Sequence, residues 1–302
     1  MNSMRGKNVL IAGGNGLIGV RLTTLLTEKG YAVKWLDRNK NSSHMSFFWD
    51  PLAGYLDKAA IPWADYIVNL AGSPVTKRWS RAEKRKILTS RIQAVNLISK
   101  GIHECSHHVK AYVGASAIGI YGDRGKEILT EDSLPASDFL AGVCSQWEAA
   151  AAGISKSGIR TVILRIGIVL SSGGGALKEL LKPLKFFAAP YFGEGSQMTS
   201  WVHMDDVCGM VIWSIENTGA QGVYNATAPV PVTNRELARG ISRAKEGFHI
   251  VFSLPPGLLK AALGDRASMV LGGQHVSALK ITDAGYVFKF PANGPALQDL
   301  VG

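Results

Sequence analysis

Cysteine is scarce in this chain, with three in 302 residues at positions 105, 144 and 208. They are widely scattered and share no metal-ligand spacing, which excludes a disulfide scaffold and a cysteine-based metal site and leads us to expect a reducing, cytoplasmic setting. Long apolar runs are also missing. No stretch reaches the roughly 18 uninterrupted apolar residues of a membrane helix, and even residues 161–170 are broken by Arg165. The first apolar run begins at Val9, so no cleavable leader is expected. Internal repeats and low-complexity tracts are absent.

Acidic residues are the scarcer charge, 23 against 33 Lys and Arg, for a formal charge of +10. That balance suits either an anionic ligand or a well-solvated surface. The densest basic run, Lys77 to Arg91, starts a helix at Ser80 with Glu83 three residues on, a capping box. Ile87, Ala94 and Ile98 give that helix an apolar face, with Lys84, Arg85 and Arg91 turned to solvent or a cleft. No aromatics alternate with the basic residues as base stacking requires, so no nucleic-acid partner is expected.

What is present in quantity is core: 46% of the residues are hydrophobic. The length fits one large α/β domain with an appendage, or two modest domains. The organising stretch is Gly13-Gly14-Asn15-Gly16-Leu17-Ile18-Gly19, directly after the apolar run Val9–Ala12. Gly13 suits a tight turn, Gly16 lets the backbone approach a diphosphate, and Gly19 lets the new helix lie close on the strand. The helix start then offers the amides of Leu17, Ile18 and Gly19 to an anion. After it, Ile18, Leu22 and Leu25 recur at helical spacing, and Lys29-Gly30 is a helix stop.

A second strand, Ala32–Leu36, delivers Asp37 and Arg38 where a dinucleotide fold reads the adenine ribose. The two residues pull in opposite directions. Aspartate accepts from ribose hydroxyls and suits NAD, whereas arginine pairs with the 2′-phosphate of NADP. Tyr66–Leu70 reads as a third buried strand, with Leu70, Ala71 and Gly72 at its tip for close backbone passage past a cofactor. Ala111–Ala117 is a fourth strand, running into the turn Ile118–Gly122, and Thr161–Leu170 is a fifth. Strands alternating with helices imply a parallel sheet with right-handed crossovers, an α/β doubly wound Rossmann-like fold. Beyond Gly175 we expect a helix over 176–187, a loop over 190–200, a helix after Trp201–Val207 with Asp205 as its cap, a returning strand at Gly222–Ala226 and a helix over 233–245. The remainder reads as a small mixed α+β cap. Residues 1–170 and 202–228 then form the nucleotide-binding domain, and 171–201 with 229–302 the substrate or cap domain.

Read together, the Gly13–Gly19 loop, Asn69–Gly72, Ser116 through Tyr121-Gly122, Leu164-Arg165 and Val202–Asp206 resemble the extended short-chain dehydrogenase/reductase superfamily. Trp49-Asp50-Pro51, Arg78-Trp79-Ser80, Ser90-Arg91, Trp147–Ala150, Gly173–Gly175 and Leu271–Gln274 are similar to its atypical epimerase family proteins of the SDR39U1-like type. The resemblance covers nearly the whole chain. It implies a Rossmann domain with a small C-terminal substrate domain, NADP as cofactor with NAD as the alternative, a small-molecule substrate that is polar and sugar-like, and a homodimer packed through two helices.

It also implies a tyrosine that moves a hydroxyl proton and a lysine four residues on, and this chain lacks both. With Glu148 as the anchor, the tyrosine position falls on Leu140, the lysine on Cys144 and the partner hydroxyl on Ala117. None of the three is a proton donor tunable to neutral pH. The candidate catalytic groups that remain are Ser116, which can alternatively hold the nicotinamide, and Tyr121, which can alternatively be a packed turn aromatic. His203 beside Asp205 either titrates near neutrality or anchors a turn between the domains. Phe187, Tyr191, Phe192 and Trp201 read as core more than as a specificity wall. Two functions follow: an NAD(P)-dependent epimerase-like oxidoreductase, or a cofactor-binding regulatory or interaction protein without turnover.

Overall fold

The computed structural model describes residues 7–39 and 45–302; residues 1–6 and 40–44 of the expected 1–170 segment lie outside the described residues. Its centre is a sheet of eight strands. These are β1 (Asn8–Ala12), β2 (Ala32–Asp37), β3 (Ser46–Asp50), β4 (Tyr55–Leu56), β5 (Tyr66–Asn69), β6 (Ala111–Ala117), β7 (Arg160–Ile166) and β8 (Gly222–Ala226). The spatial order is β8-β7-β6-β5-β1-β2-β3-β4, and every pairing is parallel except β3 with β4 at the edge. Strand order reverses between β1 and β5, so a crevice opens there at the C-terminal edge of the sheet.

Side chains alternate between two buried faces. Val9 and Ile11 join Val68, Val113 and Val162 on one face, under α1 (Leu17–Glu28) and α4 (Met204–Glu216). Leu10 and Ala12 join Ile67, Tyr112 and Ile163 on the other, under α2 (Arg81–Glu104) and α3 (Phe139–Ser155). Strands covered on both faces read as the continuous apolar runs seen in the sequence. The Ser80 hydroxyl accepts from the Glu83 amide at 3.2 Å and starts α2, while Asp138 accepts from the Ala141 amide at 2.9 Å and starts α3.

The edge pair β3–β4 was not expected. Its signal was the run Ser46-Phe47-Phe48-Trp49, whose aromatic bulk suits a half-buried pleated surface. Residues 190–200 are a correction of a different kind. Ala188–Phe192 pairs in parallel with Ile250–Leu254, and Met198–Thr199 pairs with Val232–Thr233. Gly193 and Gly195, both at positive φ, confine the turn to the residues between. Trp201 is fully buried as expected, but Phe187 is 64% exposed in a left-handed backbone conformation and Phe186 is 80% exposed. A similar constraint couples the first loop to β2. A Cβ on Gly14 would collide with the Trp35 ring, and the Trp35 indole N–H donates to the Thr23 hydroxyl of α1 at 2.9 Å.

Asp205 is not the cap of α4. The cap is His203, whose Nδ1 accepts from the Asp205 amide at 3.0 Å. The Asp205 carboxylate instead accepts from Arg21 Nε at 2.8 Å and Lys289 Nζ at 2.9 Å, and these cations hold its pKa down at about 2. Its neighbour Asp206 is fully buried and accepts from Tyr286 Oη at 3.0 Å, the Lys289 amide at 2.7 Å and the Phe290 amide at 2.9 Å. That carboxylate fastens the C-terminal segment to α4. His203 is buried against the Phe290 ring at 3.9 Å between centroids. Its Nε2 lies 3.2 Å from Asp299 Oδ2 without the alignment of a hydrogen bond, and burial pulls its pKa below the ordinary value.

Two outcomes follow. Asp206→Asn turns one acceptor into a donor facing an amide, and should cost about 2–3 kcal/mol in urea unfolding; a loss under 0.5 kcal/mol would refute the clamp. The lowered His203 pKa means that the unfolded chain binds the extra proton first as pH falls. Its contribution is therefore full above about pH 6.5 and declines below it by up to roughly 1.4 kcal/mol per pH unit until the folded-state pKa is reached. His203→Asn keeps a capping acceptor and should remove that part of the slope.

Candidate functional site

The loop after β1 is shaped by backbone contact. Gly13 takes φ 81°, its carbonyl accepts from the Gly16 amide at 3.1 Å, and α1 begins at Leu17 with no side-chain cap. The first-turn amides of Leu17, Ile18 and Gly19 thus lack intrahelical acceptors, as at any helix start. A Cβ on Gly19 would strike the Gly13 carbonyl and Gly14, and one on Gly13 would sit 2.9 Å from the Leu70 carbonyl carbon. Helix, loop and the β5 tip can approach this closely only as glycine backbone.

Beside this cradle lies a cavity of about 280 Å³. It brings together Gly13, Gly16, Asp37, Arg38, Leu70, Ala71 and Gly72. Leu17, Ile18, Gly19 and Ser116 do not line it. Of these, Leu17 packs instead beside the glycines at 173–175, and Ser116 sits at the tip of β6. Asp37 turns its carboxylate to the Asn39 amide at 3.0 Å, and the Arg38 side chain is exposed at the rim. Sequence reasoning missed the opposite wall, Trp49, Leu52 and Lys86, although Trp49 was already one of the residues of resemblance. Asn69 supports the floor: its Oδ1 accepts from the Ala71 amide at 3.1 Å and its Nδ2 donates to Tyr112 Oη at 3.0 Å.

At the tips of β6 and β7 the polar groups form one buried network. Ser116 Oγ donates to Glu148 Oε1 at 2.6 Å, and Arg165 grips the same carboxylate through Nε and Nη2, both at 2.9 Å. Arg165 Nη1 donates to Tyr121 Oη and the Glu131 carbonyl, each at 2.9 Å, while Tyr121 donates to Asn225 Oδ1 at 2.7 Å. Tyr121 is completely buried, and burial raises its pKa despite the adjacent guanidinium. Cys144 is buried too, and desolvation pushes its thiol up to about 11. Leu140 packs over Gly119. Both candidate hydroxyls, on Ser116 and Tyr121, are therefore engaged in holding the Arg165–Glu148 pair.

A second, larger cavity of about 880 Å³ lies beyond Gly122, between Asp123 and Lys126 on one side and Glu194, Lys260 and Ser268 on the other. Asp123 Oδ1 fixes its rim by accepting from the Gly273 amide at 3.0 Å. The C-terminal segment also bridges to the start of α2, through Lys84–Asp265 at 2.8 Å and an Arg266 hydrogen bond to the Thr76 carbonyl. Among the described residues no group of acidic, histidine or cysteine side chains is arranged to hold a metal, and no helix is long and apolar enough to cross a membrane.

Glu148→Gln should cost about 3 kcal/mol in chemical unfolding, because it leaves the Arg165 guanidinium buried with half its carboxylate contacts. Combined with Arg165→Met, the loss should fall well below the sum of the single losses; strict additivity would show that the pair is not coupled.

Comparison with known proteins agrees with this geometry. Residues 9–227 match the NAD dependent epimerase/dehydratase family, and residues 254–300 match a domain of unknown function, DUF1731. The chain is 34% identical to epimerase family protein YfhF of Bacillus subtilis, over 97% of this chain and 98% of that protein. It is 32% identical to human epimerase family protein SDR39U1, over 97% and 99%. The crystal structure of human SDR39U1 with NADPH superimposes with a TM-score of 0.89, again covering 97% and 99%. A UDP-glucose 4-epimerase from Thermus thermophilus, solved with NAD, shares the fold at 19% identity and a TM-score of 0.75. With a glycine cradle at the sheet's reversal point and matches along nearly its whole length, the chain belongs to the NAD dependent epimerase/dehydratase family, among the epimerase family proteins.

Proposed function

We propose that the chain binds NADP(H) along the crevice and acts as an epimerase-like oxidoreductase on a small polar molecule. The observation that carries this reading is the 280 Å³ cavity, with a side-chain-free cradle at one end and Arg38 at the rim. The residues present fit the cofactor: Gly13 and Gly19 let the loop pack main chain against main chain where any Cβ would collide, and the amides at 17–19 are the matching donors for a diphosphate. Trp49 and Leu52 would face the adenine, and Arg38 the 2′-phosphate. The Asp37 carboxylate, held by the Asn39 amide, would remain a charge beside that phosphate for Arg38 to offset. The relative solved with NADPH supports NADP over NAD. When bound, the nicotinamide supplies hydride chemistry.

The larger cavity would be the substrate chamber, formed where segments 171–201 and 229–302 cap the Rossmann segments. Its wall mixes Lys126 and Lys260 with Asp123 and Glu194, which suits a polar, sugar-like molecule better than a strongly anionic one. The proton relay is where a second reading gains ground. Leu140, Cys144 and Ala117 stand at the relay positions, and Ser116 and Tyr121 are committed to the Glu148–Arg165 pair. These observations favour a cofactor-binding regulatory or interaction role without turnover.

Calorimetry with both cofactors tests the first claim. Arg38→Ala should weaken NADPH roughly 10- to 100-fold while changing NADH less than threefold, the range expected for a lost charge-assisted contact. Equal losses would overturn the assignment of Arg38. Following NADPH absorbance against a panel of aldehydes, ketones and nucleotide sugars separates the two roles. Substrate-dependent oxidation supports the enzyme, and tight binding without it supports the regulatory protein.

A further inference from the structure

The strand Ile250–Leu254 has one partner and one open side. The Ile250 amide donates to the Phe187 carbonyl at 2.8 Å, and the Leu254 carbonyl accepts from the Gly193 amide at 2.9 Å. In a parallel ladder the residues bonded to one neighbour alternate, so 250, 252 and 254 serve Ala188–Phe192, and the main-chain groups of Val251 and Ser253 point the other way. Among the described residues, neither the amide nor the carbonyl of these two makes a hydrogen bond. An open edge of this kind is ordinarily blunted by a charge, a proline or a bulge. Ile250-Val251-Phe252-Ser253-Leu254 carries none of them.

Apolar side chains surround the edge. Val251 packs inward on the cluster that holds Leu237 and Ile241, whereas Ile250 and Phe252, on the opposite face of the strand, are 58% and 39% exposed. Phe248 is more exposed still, and Phe186 and Phe187 lie on the segment that bonds to Ile250. Phe187 is also the one non-glycine residue at positive φ among the described residues. At about 200 Å² for a large side chain, these five leave on the order of 600 Å² of apolar surface open, the upper end of what a monomer usually carries. A standard dimer interface takes about 800 Å² from each copy, and roughly 65% of a homodimer interface is apolar.

The edge is complementary to itself. The antiparallel register that uses both outward residues sets Val251 opposite the partner's Ser253, and Ser253 opposite the partner's Val251. It places a two-fold axis at Phe252, with the two Phe252 rings side by side and Ile250 opposite the partner's Leu254. Every outward amide and carbonyl is then satisfied, and no like charges oppose each other. A lipid surface would cover the aromatics and leave the main-chain groups of Val251 and Ser253 unpaired. We propose that this edge is an interface between two copies of the chain, closed by antiparallel pairing of Ile250–Leu254 about an axis at Phe252. The contact runs through strands of the cap segment and is distinct from the two-helix packing that the resemblance implies. Phe192 and Pro256, beside the paired ends, line the larger cavity, so the pairing braces one of its walls.

Sedimentation velocity on the full chain between about 5 and 200 μM should show reversible association. Phe252→Asp sets two carboxylates against each other at the axis and should weaken that association about 30-fold or more. Where the helices pair as well, the same substitution reduces a tetramer to a dimer. Cross-linking reads the register directly. In a Cys105→Ser background the remaining thiols, Cys144 and Cys208, are buried. Phe252→Cys then places two sulfurs across a non-hydrogen-bonded pair whose Cα atoms stand about 4.5 Å apart, a span that a disulfide bridges. Mild oxidation should link it at least about tenfold faster than Phe186→Cys, although residue 186 is the more exposed. A chain that stays monomeric at the top of the range, an association unmoved by Phe252→Asp, or equal cross-linking at 252 and 186 would overturn the proposal. Flotation of a monomeric chain with anionic vesicles would overturn it too, and give the face to a membrane.

Discussion

A largely covered carboxylate on α3 and a buried guanidinium on β7 set the chemistry available at the end of this crevice. Glu148 and Arg165 face each other through two hydrogen bonds of 2.9 Å, and neither charge tolerates burial without the other. Their remaining valences recruit Ser116, Tyr121 and the backbone of Glu131, so one ion pair ties the tips of β6 and β7 to the segment that leads into α3. The same pair engages both candidate catalytic hydroxyls, those of Ser116 and Tyr121. A site arranged in this way is rigid, and its polar groups serve the scaffold before they can serve a ligand.

Backbone closeness sets the other end of the crevice. There the structure uses the absence of side chains, at Gly13, Gly19 and Gly72, where the other end uses the presence of charges. The two halves therefore respond differently to change. Cradle positions are limited by hard overlap with main chain, which does not move aside, whereas the network is limited by charge balance, which a coordinated change of two residues can satisfy.

Much of this was legible in the sequence because local rules agree with the global fold. The loop at 13–19, the strand runs of β1, β5 and β6, and the Ser80 cap each follow from local pattern, whereas the expected strand over 161–170 ends its place in the sheet at Ile166, and Ile168–Leu170 pairs instead with Trp201–His203. Other features need the third dimension. Asp206 looked like any first-turn acid, and nothing local distinguishes it from Asp205; only the return of the chain at Tyr286–Phe290 makes it the buried clamp and its neighbour the surface pair. The role of Tyr121 was hidden for the same reason, since its partners lie 44 and 104 residues away. Lys86 falls within the basic run that opens α2, and its place in the cavity wall depends on how α2 crosses the tip of β5.

The fit of the Trp35 ring into the space above Gly14 reaches beyond this one chain. Because the indole occupies the volume that a methyl group on residue 14 would need, positions 14 and 35 are sterically coupled. A lineage that acquires alanine at the first must already carry a smaller residue at the second. A side chain at position 14 thus excludes an indole at position 35, whereas glycine at 14 leaves the residue at 35 free to vary.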